Sequence, residues 1–146
     1  MGQKGRRVSD ANKAVMERFY AEVVNTGNLD LIDELLTDDF VEYEEFPGLT
    51  PDRAGVKQFF GLFKQAFPDA TMTPEQMLAE GDMVAARVRI RGTHRGEFMG
   101  VPATGKEIDV EAVDIVQFHD GIASAHWGVS DVMTMMQQLG AIPEPG

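Results

Sequence analysis

The stretch EIDVEAVDIVQFHDGIASAHWGVSD, residues 107–131, decides the fold. Its first half places apolar residues at every second position, as expected of a strand that buries one face. The apolar set on this face is Ile108, Val110, Ala112, Val116 and Phe118. Asp120–Gly121 predicts a tight hairpin turn, so IASAHWGVS, residues 122–130, should return as an antiparallel partner.

A second alternating run lies just before this hairpin. In MVAARVRIRGTH, residues 83–94, apolar residues alternate with three arginines, Arg87, Arg89 and Arg91. One face of this strand is therefore apolar and the other is basic. After the hairpin, DVMTMMQQLG, residues 131–140, has apolar residues at helical spacing and predicts a short terminal helix.

Helical patterns come before these strands. SDANKAVMERFYAEVVNTGN, residues 9–28, predicts a helix capped by Ser9 or Asp10. LDLIDELL, residues 29–36, predicts a short second helix, and DDFVEYEEF, residues 38–46, predicts a brief strand.

The clearest helical pattern is TPDRAGVKQFFGLFKQAFP, residues 50–68. Thr50 suits the N-cap, Pro51 suits the first helical position, and Pro68 stops the run. Five large apolar residues share one face, and we expect them to pack in the core rather than to bind a ligand. They are Val56, Phe59, Phe60, Phe63 and Phe67.

Helices followed by antiparallel strands predict an α+β fold, with N-terminal helices packed on one curved, mostly antiparallel sheet. A chain of 146 residues suits one domain. We expect residues 1–8 to form a mobile N-terminal tail and residues 9–146 to form this single domain.

Composition excludes several classes of function. The net charge of −11 disfavours nucleic acids and anionic membrane surfaces as partners. No apolar run reaches the roughly 18 residues of a membrane span. The chain has no cysteine, which excludes thiol catalysis and thiolate metal sites and is typical of a cytoplasmic protein.

Asp114 interrupts the apolar face of its strand, because it shares strand phase with Ala112 and Val116. A carboxylate at an interior position must be paired, hydrogen-bonded or protonated. Such a carboxylate suits general acid–base catalysis near neutral pH. The alternative is a bulge that turns Asp114 to solvent beside Asp109 and Glu111.

The histidines and Asp131 leave alternatives open. His94 is in phase with the apolar face of its strand, and either a structural or a catalytic role fits that position. His126 and Trp127 must point to opposite faces, and the pattern does not say which one is interior. His119, next to the turn, should be exposed. Asp131 directly precedes a helix, where an aspartate is a good cap.

Motifs for metal or cofactor chemistry are missing from the sequence. The histidines lack zinc-type spacing, and the chain has neither a G-x-S-x-G motif nor a dinucleotide fingerprint. GVPATGK, residues 100–106, fails as a P-loop because Glu107 follows Lys106. We therefore expect no metal and no cofactor, which leaves acid–base chemistry in an apolar pocket, or binding alone.

Four segments together resemble the SnoaL-like polyketide cyclases, or ester cyclases, of the nuclear-transport-factor-2-like superfamily. They are AFPDA (66–70), AEGDMVAARVRIRGTHRGEFMGVPATGK (79–106), VQFHDGIASAHWGVSD (116–131) and QQLGAIP (137–143). The resemblance implies a cone-shaped α+β barrel around an apolar pocket. It also implies intramolecular aldol ring closure of a polyketide ester, in which one carboxylate removes an activated α-proton and a proton returns to the acceptor carbonyl.

This sequence departs from the family pattern at one important position. The resemblance implies a catalytic aspartate directly after the tryptophan, and that position is Gly128 here. A second family position, usually histidine, falls at Asp114. The carboxylate has then either moved across the hairpin to Asp114, or the protein performs different chemistry.

Two classes of function follow. The first is a cyclase-type enzyme acting on a bulky apolar or aromatic carbonyl compound, with Asp114 as general acid/base. Its supporting groups would be His126, His94 and Asp131, and its pocket residues Trp127, Tyr20, Phe63 and Gly128. The second is a non-catalytic small-molecule binding protein, which Gly128 favours. Isomerase, hydratase or epoxide hydrolase chemistry on the same scaffold is a further alternative.

We also expect a homodimer, because domains of this shape often pair through the outer face of the sheet. The row of arginines could meet acidic residues there, or simply face water.

Overall fold

The computed structural model describes residues 2–144, which form four α-helices and one five-stranded sheet. The helices are α1 (Gln3–Arg18), α2 (Ile32–Leu35), α3 (Arg53–Ala66) and α4 (Val132–Gln138). The strands are β1 (Leu36–Glu42), β2 (Thr71–Glu80), β3 (Met83–Thr93), β4 (Glu107–His119) and β5 (Ile122–Ser130). A π-helical segment, Phe19–Asn25, continues α1, and a 3₁₀ turn, Leu29–Leu31, leads into α2. No helix within residues 2–144 is long and apolar enough to cross a membrane.

The sheet has the strand order β1-β5-β4-β3-β2. Strands β2 to β5 pair as antiparallel neighbours, and β1 adds to β5 in parallel. The sheet is open, with β1 and β2 as its edges. Asp120 and Gly121 both have positive φ, as a type I′ hairpin turn requires. The predicted α+β class, with N-terminal helices on a mostly antiparallel sheet, is confirmed.

The core lies between the helices and one face of the sheet. Alternate residues of β3 and β4 are buried there, and α1 and the π-helical segment pack against β2. Phe67, directly after α3, is fully buried among them. Three other phenylalanines of the α3 stripe, Phe59, Phe60 and Phe63, face a cavity, which is described below.

The predicted start of the first helix is wrong by about two turns. α1 begins at Gln3 with Gly2 at the N-cap, and both Ser9 and Asp10 lie inside the helix. Residues 3–8 are mostly Gln, Lys and Arg, which are good helix formers, so nothing local stops the helix at Ser9. The mobility of residues 1–8 stays a prediction, and Met1 lies outside the described residues, as do residues 145–146 of the predicted domain.

The start of α3 also differs from the prediction. The N-cap is Asp52, whose carboxylate accepts the Gly55 N–H at 2.9 Å, rather than Thr50. The Thr50 hydroxyl donates to the Asp52 carboxylate at 2.7 Å and so orients the cap. Both residues suit a helix N-cap, and aspartate is the more strongly preferred of the two; Thr50 was predicted because Pro51 suits the first helical position, but Pro51 lies before the observed cap.

Two glycines of α3 should respond in opposite ways to alanine. A Cβ on Gly55 would overlap the carbonyl oxygen of Thr50 and lie 2.8 Å from its carbonyl carbon. The Thr50 carbonyl belongs to the main chain and cannot move aside easily. We therefore expect Gly55→Ala to lower the free energy of unfolding by ~1–3 kcal/mol or more, the usual cost of overpacking.

Gly61→Ala is the matched control on the same helix. Its Cβ would meet only Leu29 Cδ1, at 3.5 Å. Alanine there should raise the free energy of unfolding by about 0.5–1 kcal/mol, because glycine loses more backbone entropy in a helix. Urea unfolding of both variants measures the difference, and equal stabilities would contradict this description of α3.

Candidate active site

An apolar cavity of about 320 Å³ opens between the helices and the sheet. Phenylalanines form much of its wall, including Phe19, Phe59, Phe60, Phe63 and Phe98. Polar side chains also line it, and we call six of them the polar cluster: Tyr20, Glu42, Glu44, Asp114, His126 and Ser130. An apolar cavity with a few converging polar groups is the usual form of a small-molecule site.

Asp114 lies at the centre of the polar cluster. It is 8% exposed, because it occupies the buried phase of β4 and no bulge turns it to solvent. The Tyr20 hydroxyl donates to Oδ2 at 2.7 Å, and His126 Nε2 contacts Oδ1 at 2.8 Å. Burial and the neighbouring Asp114 charge raise the pKa of Tyr20, so its hydroxyl stays protonated as a donor.

His126 lies between two carboxylates. Its Nε2 faces Asp114, and its Nδ1 lies 2.5 Å from Glu42 Oε1. When both carboxyl groups are ionised they can only accept, so both contacts are hydrogen bonds when both ring nitrogens carry protons. Burial alone lowers the pKa of His126, but the hydrogen bonds and charges of Asp114 and Glu42 outweigh burial and raise the pKa to about 10. At neutral pH His126 is therefore a cation that can donate protons.

Glu44 and Gly128 meet beside this pair. Glu44 Oε2 accepts the Ser130 hydroxyl at 3.2 Å. A Cβ on Gly128 would overlap Glu44 Oε1 and lie 2.7 Å from His126 Cε1. Burial raises the pKa of Glu44, although the His126 charge partly opposes the rise. The Glu44 carboxylate therefore occupies the space that a side chain at residue 128 would need.

The sequence pattern did not assign Glu42 and Glu44 to the site. A signal was present, because Phe40 is buried in β1 and Glu42 and Glu44 follow it at two-residue spacing. Only the parallel pairing of β1 with β5 brings Glu42 opposite His126. That long-range pairing is not visible in the local pattern.

A cation could bind in the polar cluster only by displacing protons. Single donor atoms of Glu44, Asp114 and His126 all lie within 4.8 Å of one another. Metal coordination requires a deprotonated imidazole nitrogen, however. The hydrogen bonds to two carboxylates favour the fully protonated ring instead.

His94 and Asp131 lie apart from the polar cluster. His94 is fully buried, but its Nδ1 accepts the Thr104 N–H at 3.2 Å and its ring stacks on Phe67 at 5.3 Å. Asp131 is exposed and caps α4 by accepting the Thr134 hydroxyl and N–H, which lower its pKa. Neither residue is among those that line the cavity.

The predicted pocket residues divide between the two faces of the sheet. Tyr20 and Phe63 line the cavity. Gly128 points to the same side as His126, because the two alternate with Trp127 along β5. Trp127 is 36% exposed and stacks on Tyr43 with ring centroids 4.9 Å apart, so it lies on the outer face rather than in the pocket wall.

The charge on His126 predicts a pH dependence of folding stability. A histidine whose pKa rises from 6.5 to about 10 on folding stabilises the native state fully below pH 6.5. That stabilisation should disappear as the pH rises through about 10. The gap in free energy of unfolding between wild type and His126→Gln should therefore narrow from pH 6.5 to 10, measured by urea unfolding.

His119→Gln, at an exposed histidine, is the control, and a pH-independent gap for His126→Gln would contradict the assignment.

Comparisons with known proteins agree with this geometry. A family model described as SnoaL-like polyketide cyclase matches residues 14–139. The chain is 28% identical over 130 residues to the aklanonic acid methyl ester cyclase DauD of Streptomyces sp. (strain C5), covering 84% of this chain and 78% of that protein. It is 26% identical over 118 residues to the nogalonic acid methyl ester cyclase of Streptomyces nogalater, covering 80% and 88%.

Among solved structures, IdmH from Streptomyces antibioticus has a TM-score of 0.77 at 35% identity, covering 88% of this chain and 98% of that chain. Since the family model spans most of the chain, the protein belongs to the SnoaL-like polyketide cyclase family.

Proposed function

We propose that this protein closes a ring in a polyketide-derived ester by an intramolecular aldol-type reaction, using only acid–base chemistry. Family membership and the similarity to two named cyclases support polyketide cyclase function. The observation that carries the chemistry is the buried Asp114 carboxylate, which lines an apolar cavity and contacts Tyr20 and His126.

The cavity favours a bulky, largely apolar or aromatic carbonyl compound. Its phenylalanine wall suits a flat substrate, because aromatic rings pack well against one another. The polar cluster would then face the reacting carbonyl groups, while the apolar wall binds the remainder. Holding both ends of one molecule in reacting geometry supplies much of the rate enhancement of a ring closure.

The reaction is an isomerisation. A carboxylate of the polar cluster removes a proton from the carbon next to an activating carbonyl, and the resulting carbon nucleophile attacks the acceptor carbonyl carbon. A carbon–carbon bond forms, and the acceptor oxygen takes a proton. Asp114 is the general acid/base, and the His126 cation beside it shares the proton and stabilises the developing negative charge.

The alternative of a non-catalytic binding protein was favoured by Gly128, because glycine lacks the carboxylate that the resemblance implies at this position. A carboxylate nonetheless lies beside that glycine, supplied by Glu44. Three acidic side chains around one charged histidine form an unfavourable arrangement for a site that only binds an apolar molecule. This arrangement favours an enzyme.

We keep the homodimer and the cytoplasmic location as proposals. Several large apolar side chains of the outer face are exposed, and this supports pairing of two copies of the chain. They are Tyr43, Val113, Ile115, Trp127 and Val129. The arginines on that face pair within the chain, since Arg87 and Arg89 both contact Glu111.

Asp114→Asn should lower the rate of ring closure by about 10²–10⁴-fold, the usual contribution of a general acid or base. Aklanonic acid methyl ester and nogalonic acid methyl ester serve as probe substrates, because similar proteins are named for them. Chromatography with mass detection should show a product of unchanged mass with the wild type.

Asp109→Asn is the control, because Asp109 lies on the same strand but on its exposed face. It should keep near-wild-type activity. A wild type that converts neither ester, or an Asp114→Asn variant as active as the wild type, would contradict the proposal.

A further inference from the structure

We propose that Glu44 is the base that removes the substrate proton, and that residue 128 is glycine because the Glu44 carboxylate occupies the space of a side chain there. This inference rests on the proposed ring closure and divides its two proton transfers between two groups. Nothing in the pattern of β5 alone assigns a role to Glu44, which lies two residues beyond the end of β1.

The main chain around Glu44 is held on both sides. The Glu44 N–H donates to Glu42 Oε1 at 2.9 Å, and the Tyr43 N–H donates to the His126 carbonyl at 2.9 Å. The Tyr43 ring stacks on Trp127 with an interplanar angle of 3°. Tyr43 is thus fixed on the outer face, and the side chain of Glu44 lines the cavity.

Gly128 shows how closely the Glu44 carboxylate approaches β5. A Cβ at this position would overlap Glu44 Oε1, and it would also lie 2.9 Å from His126 Nε2. Any side chain at residue 128 would therefore displace the Glu44 carboxylate from its place beside His126. Glycine at residue 128 therefore allows the Glu44 carboxylate to lie beside His126.

The two oxygens of Glu44 leave one acceptor open. Ser130 donates to Oε2, and Oε1 accepts no hydrogen bond from the residues that the structure describes. By contrast, both oxygens of Asp114 already accept hydrogen bonds, from Tyr20 and His126. Each carboxylate oxygen has two lone pairs, so Glu44 Oε1 has both available to receive a proton from carbon, whereas one lone pair on each Asp114 oxygen is already occupied.

The surroundings also give Glu44 suitable basicity. Burial raises the pKa of Glu44, which brings it closer to the operating pH of a general base. Glu42 lies in the same cluster, but its Oε1 accepts both from His126 and from the Glu44 N–H. Its role is to hold the histidine and the loop in place.

All proton transfers of the reaction then take place within the polar cluster. The α-proton first moves from carbon to Glu44 Oε1, which leaves an enolate. The enolate carbon then bonds to the acceptor carbonyl carbon as the π bond of that carbonyl breaks. The new alkoxide takes a proton from the His126–Asp114 pair. The proton on Glu44 returns to that pair, across a gap that one water can bridge, since ligand atoms of all three residues lie within 4.8 Å.

The test separates proton removal from ring closure. Wild type and variants are incubated in D₂O with the two methyl esters named above, and both deuterium incorporation at the α-carbon and ring closure are followed. Glu44→Gln should lower both rates by about 10²–10⁴-fold. Asp114→Asn should lose ring closure but keep α-deuterium exchange.

A second variant and a control keep the test independent of folding defects. Gly128→Ala retains the Glu44 carboxylate but displaces it and also crowds the His126 ring, so exchange should fall by at least about tenfold. Glu80→Gln removes a carboxylate that is exposed and absent from the cavity lining, and it should match the wild type. Circular dichroism confirms that each variant is folded.

The outcomes distinguish this inference from the proposed function. An active wild type with a Glu44→Gln variant that exchanges at the wild-type rate overturns the role of Glu44 and leaves the cyclase proposal standing. A wild type that neither exchanges nor closes either ester overturns the cyclase proposal itself.

Discussion

Burial of the Asp114 carboxylate is the constraint on which the rest of the site depends. A charge removed from water must be paired and hydrogen-bonded, or the fold loses several kcal/mol. Tyr20 and His126 provide those bonds, and His126 in turn requires Glu42. One buried carboxylate thereby links the N-terminal helical segment, the two adjacent strands β4 and β5, and the edge strand β1.

The strand registers make this linkage geometrically possible. The antiparallel register pairs Asp114 with Gly128, and the parallel register pairs Glu42 with His126. A slip of one residue would turn His126 outward and bring Trp127 into the cavity. Tyr20 comes from the π-helical segment, a local geometry that is frequent at functional sites. Its hydroxyl reaches a strand 94 residues further along the chain.

Much of the fold was predictable because alternation is a local signal. The central strands and the buried phase of Asp114 follow from period two in residues 83–94 and 107–119. Strand β2 was not assigned, because only Met72 of its residues is buried and its register shifts after Pro74. One face of β2 packs against α1 and the π-helical segment, but several residues there are only partly buried, so no clear alternation can be detected.

The site itself was only half predictable. Periodicity put Asp114 and His94 in the phase of the apolar face, but it left His126 and Trp127 undecided and did not say which polar residues meet. His94 is as buried as predicted, yet a threonine in the following loop occupies its Nδ1. Asp131 caps α4, which its position directly before the helix had suggested. Glu44 depends on the parallel pairing of β1 with β5, which has no signature in the local sequence.

The charged state of His126 is the central claim of this account, and ¹⁵N NMR of the imidazole ring tests it most directly. In the folded protein both ring nitrogens should show protonated chemical shifts at pH 8, and one of them should lose its proton only near pH 10. A neutral tautomer with one unprotonated nitrogen at pH 7 would contradict the account, because His126 could then donate to only one of its two carboxylates.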